Sequence, residues 1–220
     1  MEDWVNSGTE KQRVHKLVSL GVADERARSA VFDRDIEWIP IRTESQNETA
    51  IMFFPCGAMY GAFLYVLRNA DKGWHVTNRV GFDCHYDESV SVEAKSIRKP
   101  NVDDILVHHE CEEHGTGFVQ QDFNVFAISS GKLRLLLDAQ ELVKEDDLPT
   151  GGERLQRSRF ATFQEQSGEP AIQETRCTTL DGKPTIEKRT FRWSDSAGRF
   201  LPSRLVRVEA TADKAKAVCR

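Results

Sequence analysis

His108, His109, Cys111 and His114 crowd into one short run, and a second pair, Cys84-His85, precedes them. Zinc takes four nitrogen or sulfur ligands, and close spacing within a ligand pair is typical of its sites. In an extended strand His109 and Cys111 share a face, and His108 takes the other. His109, Cys111 and His114, completed by Cys84 or His85, could therefore form a zinc site. No CxxC or HExxH spacing accompanies them, and polar strand-end or loop residues are the competing reading. Cys111 beside His108 and His109 could also form a thiolate–imidazole pair, set against the commoner case of a buried, inert cysteine.

Asp103, Asp104, Glu110, Glu112 and Glu113 supply the hard oxygens that calcium prefers. The run NVDDILVHHE resembles the start of the FG-GAP-type repeats of integrin-like β-propellers, in which an Asp-rich, Gly-containing loop leads into an apolar strand. The match covers Asp103-Asp104-Ile105-Leu106 and implies a β-blade-like unit over residues 101–138. The alternating Asp ligands and the loop Gly are missing here, which favours a solvated acidic loop over a calcium site. Gly115-Thr116-Gly117 precedes a strand rather than a helix, so it reads as a turn and not an anion cradle. Ser129-Ser130-Gly131 reads as a hairpin turn, because a nucleophile elbow needs a strand-to-helix setting. Trp4, Trp38, Trp74 and Trp193 read as core or sheet-face packing, with a ligand-stacking face as the sharper alternative.

The elements that must position these groups are mostly strands. Val102 to Asp138 reads as a three-strand unit. A short strand at Ile105-Leu106-Val107 is followed by a loop from Glu112 to Gly117. A long strand then runs from Phe118 to Ile128, and a return strand from Lys132 to Leu137 has Leu133, Leu135 and Leu137 on one face. The period of two slips in the long strand: Phe118, Phe126 and Ile128 have one parity, Phe123 and Val125 the other. Burial on both faces, or a bulge near Gln120-Gln121-Asp122, would account for it. Strands at Ala50–Phe54, Ala62–Arg68 and Trp74–Val80 make a similar unit. The hairpins LYVLRNADKGWHV, FNVFAISSGKLRL and RTFRWSDSAGRFL echo one another, each with a polar turn ending in Gly.

Ahead of the strands, Thr9 and Gln12 have capping-box spacing for a helix over Thr9–Leu20, ended by Gly21. Asp24 can cap a second helix to about Phe32, making a helical hairpin. Asp35–Arg42 alternates as a strand, and Pro40 marks it as an edge. Ser89–Ala94 reads as a short strand. Ala139–Gly152 reads as a linker. Strands near 158–166, 171–179, 185–193 and 199–209 form a meander whose charged residues alternate with Phe, Ile, Trp and Val, as in a sheet with one solvated face.

The fold class expected is therefore mainly β, antiparallel meanders in two packed sheets or a partial propeller, with an N-terminal helical hairpin. Residues 1–34 are the hairpin, 35–140 a β region with two units, and 153–210 a C-terminal meander packed on the same domain. A net charge of −5 with dispersed basic residues argues against nucleic acid as a partner. No run is long and apolar enough to span a membrane. The N-terminus lacks a signal-like pattern, so a cytoplasmic chain is the default, and an exported one the alternative for a trimmed form. Five cysteines without paired spacing argue against a dense disulfide framework, leaving room for a bridge such as Cys56–Cys84. No catalytic motif outweighs its structural explanation. The expected function is a soluble binding or interaction module for a protein or small molecule, with no cofactor unless zinc binds. The alternative is a metal- or Cys/His-dependent hydrolase near Cys84-His85 and His108–His114.

Overall fold

The computed structural model describes residues 1–23, 27–28, 36–45, 47–55, 61–82, 89–113, 118–145, 154–180 and 183–209, with backbone alone at 111–113. The chain is mainly β, built of antiparallel sheets behind an N-terminal helical hairpin. That hairpin is α1 (Glu2–Asn6) and α2 (Glu10–Ser19). Thr9 accepts from the Gln12 backbone N–H and Gln12 reaches back to the Thr9 N–H, the capping box that the spacing predicts. The helix expected from Asp24 to Phe32 falls largely outside the described residues.

One sheet has the order β1-β2-β3-β4: β1 (Glu37–Ile41), β2 (Thr49–Phe54), β3 (Ala62–Ala70) and β4 (Gly73–Phe82). Pro40 sits in edge strand β1, where a missing N–H costs least. The second sheet runs β12-β11-β10-β9-β8-β7-β6-β5. Its strands are β5 (Val90–Lys99), β6 (Val102–Glu113), β7 (Phe118–Ser129), β8 (Lys132–Glu145), β9 (Arg154–Gln164), β10 (Pro170–Leu180), β11 (Lys183–Ser194) and β12 (Arg199–Pro202). A last strand, β13 (Val206–Val208), pairs with β11. Among the described residues no helix is long and apolar enough to cross a membrane.

The chain divides into two compact units. The first holds Met1–Ser96, Asn101–His109 and Phe126–Arg134; the second holds Ile97–Pro100, Glu110–Val125 and Leu135–Arg220. Each of β5 to β8 contributes residues to both. This explains the slipped parity of β7. Phe126 and Ile128 pack in the core of the first unit. Phe123 stacks on Phe160 in the second, with ring centroids 4.5 Å apart. Val125, Phe126 and Ala127 are buried in succession, so β7 is buried on both faces there, one of the two accounts the sequence suggests. The same division overturns the expected face of Leu133, Leu135 and Leu137. Leu133 packs in the first core, Leu135 is exposed, and Leu136 joins Leu137 in being buried. The stretch read as a linker from Ala139 instead continues β8 to Glu145, and its remainder lies outside the described residues.

In the first unit β2 is buried along its whole length, because its sheet is covered on both faces. Met52 and Phe54 pack with Leu17, Leu20 and Val5 of the helices. Ile51 and Phe53 pack with Ile105 and Val107 of β6 and Phe126 of β7. A register shift opposite Val66/Leu67 divides β4 between these cores: Trp74 and Val76 face the helices, Val80 the other strands. The β7–β8 hairpin turns through Ser130 and Gly131, both at positive φ (51° and 76°). Two successive positive φ angles define a type I′ turn, whose twist suits the flanking strands. A Cβ at Gly131 would meet the Arg68 and Thr77 side chains at 3.1 Å.

Candidate functional site

A cluster of charged side chains beside a cavity lies in the second unit, on one face of β9, β10 and β11. Their registers place Ser158 opposite Arg176, Phe160 opposite Glu174, and Glu174 opposite Arg189. Directly opposed residues share a face, so Ser158, Glu174, Arg176 and Arg189 project together. Phe160 and Phe191 point the same way, their ring centroids 6.4 Å apart. Arg98 of β5 lies over the Trp193 ring of β11, 5.1 Å from its centroid. Strands near opposite ends of the sheet order are thereby brought together.

Glu174 is fully buried. A lone carboxylate there would be prohibitively costly, so it must be paired and hydrogen-bonded. Oε1 accepts from Ser158 Oγ at 2.7 Å and from Arg176 Nε at 2.9 Å. Oε2 accepts from Arg189 Nε. The Arg189 guanidinium also lies 4.5 Å from the centroid of the Phe191 ring. Nearby in strand position, Gln156 is buried with its Nε2 unpartnered among the described residues. Gln156 shares the face of Ser158, two residues along β9.

Both arginines line a polar cavity of about 390 Å³, together with Gln120, Asp122, Asp138 and Gln140. A guanidinium carries five N–H donors, and Glu174 engages one from each arginine. Both Asp122 carboxylate oxygens accept from Gln120 Nε2, at 2.8 and 2.9 Å. Asp138 accepts from Asn124 Nδ2 at 2.9 Å. Cations and anions therefore face the same space. Small-ligand pockets typically enclose about 300–1,000 Å³.

None of these residues stands out in the sequence, where the alternation of charge with apolar residues suggests one solvated face. The structure corrects that: Glu174 and Arg176 share parity with Ile172, and Arg189 with Phe191, so the charges lie among the inward rings. The available signal is a charge on the same period-2 face as core residues in adjacent strands. On the other parity of β10, buried Cys177 is disulfide-bonded.

Of the zinc candidates, His109 lies in β6 with its ring 5.6 Å from that of Phe82, and Cys111 belongs to the same strand. Cys84, His85 and His114 lie outside the described residues, as does Gly115-Thr116-Gly117. Among the described residues no group of three His, Cys, Asp or Glu side chains is placed to hold a metal. Trp38 and Trp74 meet edge to face at 5.0 Å and pack against the helices.

Asp103 and Asp104, read as part of a solvated acidic loop, are instead buried in β6. Asp103 Oδ1 accepts from Arg42 Nη2 at 2.6 Å and from Ser96 Oγ at 3.1 Å; Oδ2 accepts from the Arg42 Nε and backbone N–H. In return the Asp103 N–H donates to the Arg42 carbonyl. The Arg42 side-chain hydrogen bonds hold the Asp103 carboxyl below its ordinary value of 3.8, against the opposing effect of burial. No protein-family model, curated protein or solved structure matches this chain.

Proposed function

We propose that the second unit is a non-catalytic binding module for a small zwitterion of the amino-acid type. The observation that carries this reading is the pair of guanidiniums held by buried Glu174 at the wall of a polar cavity that also presents Asp122 and Asp138. A fork of N–H donors suits a carboxylate. The two aspartates put negative charge on the same space as the arginines, which suits a ligand that carries a cationic amino group beside its carboxylate.

Calorimetric titration with L-norleucine, hexanoate and pentylamine tests the reading. Norleucine is expected to bind saturably, and each singly charged analogue about ten- to a hundredfold more weakly, as for loss of one charge-assisted contact. Arg176→Met and Asp138→Asn should each weaken norleucine binding. Absence of saturable binding at millimolar concentration, or equal binding of pentylamine, rejects the zwitterion. The Cys177 disulfide supports the exported alternative over a cytoplasmic home, since such bonds persist in oxidising compartments. A thiol count on the unreduced, denatured protein should then fall short of five.

A further inference from the structure

Beside the polar cavity lies a second pocket of about 310 Å³. Its walls include Leu135 and Leu137 of β8, Phe191 of β11, and Phe200 and Leu201 of β12. Arg189 and Asp138 line both spaces. Arg199 of β12 also borders the second pocket, so its leucine and phenylalanine walls stand beside charged groups, and Arg189 and Asp138 mark the passage from one space to the other. Leu135 is 46% exposed and Leu201 38% exposed, although both are large apolar side chains. Scattered single exposures of this kind are ordinary, but these two leucines line the same pocket.

We infer that the ligand is amphipathic: its charged head occupies the polar cavity and an unbranched or branched apolar side chain extends past Arg189 and Asp138 into the leucine-lined pocket. This rests on the zwitterion reading above and adds the side-chain specificity. The head supplies orientation through fixed polar contacts, and the apolar compartment supplies affinity in proportion to the area it removes from water. Free amino acids with small or polar side chains leave that compartment unused and bind weakly. Those with aliphatic side chains fill it.

Titration of the full chain with glycine, alanine, norvaline and norleucine reads the inference directly. Affinity should rise about three- to fourfold with each methylene that enters the pocket. Leu135→Asn and Leu201→Asn change exposed positions and should leave the fold intact. Each should flatten the rise with chain length while leaving alanine binding unchanged. If alanine and norleucine bind equally well, the apolar compartment is not part of the site and only the zwitterion reading stands. If none of the four binds, both readings fall. A chain-length dependence that persists undiminished in both leucine variants places the side chain elsewhere and overturns the inference.

Discussion

Each unit buries a carboxylate against arginine, and the two arrangements differ in what surrounds the guanidinium. In the first unit Asp103 meets Arg42 in a fork, with Ser96 and the Arg42 backbone completing its acceptors. Arg42 also donates to Ser96 Oγ and its side chain is 61% exposed, so its remaining donors are open to solvent. In the second unit a single carboxylate, Glu174, meets two arginines that are only 16% and 19% exposed and border a cavity. The first is a clasp: it ties the end of β1 to the start of β6 and its polar groups are satisfied. The second concentrates more charge than folding requires. Replacing such a buried network by apolar side chains is often neutral or stabilising, so stability alone gives little reason to retain two arginines there.

The largest contrast should come from the carboxylates themselves. Glu174→Gln leaves two poorly hydrated guanidiniums side by side, and unfolding in urea should report a loss of about 3–5 kcal/mol. The triple variant Glu174→Leu, Arg176→Met, Arg189→Met should recover most of that loss and bind no norleucine. A triple variant as unstable as the single one would make the cluster a structural clasp like the first.

A smaller effect is expected at the other carboxylate. Asp103→Asn keeps the shape but gives up charge-assisted contacts, at a cost of about 1–3 kcal/mol near neutral pH, and norleucine binding should be unaffected. Its acid dependence follows from linkage. The folded-state carboxyl titrates below 3.8, chiefly through its Arg42 hydrogen bonds. The stabilisation it brings is therefore complete above that unfolded-chain value and drains away as pH falls through the lower folded one. Stability measured from pH 6 downward should show the wild type and Asp103→Asn converging below pH 3.8. Parallel curves would remove Asp103 as the source.

Much of the architecture is legible in local pattern. Thr9 and Gln12 announce α2, Pro40 announces an edge, and Ser130-Gly131 announces a tight hairpin. These are short-range effects, decided by caps, missing donors and accessible φ. The slip between Val125 and Phe126 is also visible in the sequence, but its cause is not. A bulge and a doubly buried strand predict the same slip, and a strand that serves two cores predicts it as well. The candidate site is harder still. The dense His/Cys run draws attention because its members are neighbours in sequence. Ser158, Glu174, Arg176 and Arg189 lie on three strands and carry no motif spacing.

By itself, then, the sequence determined the β-rich class, the capped start of α2 and the positions of the β-hairpins, because propensity, capping and turn chemistry act over a few residues. Tertiary structure alone decided which face of each strand is inside and which charges meet there. A side chain's face depends on register, and register depends on partners far along the chain. That is why Glu174, one charge among many in the sequence, becomes the buried centre of two arginines, and why Asp103 becomes a clasp rather than a solvated acid.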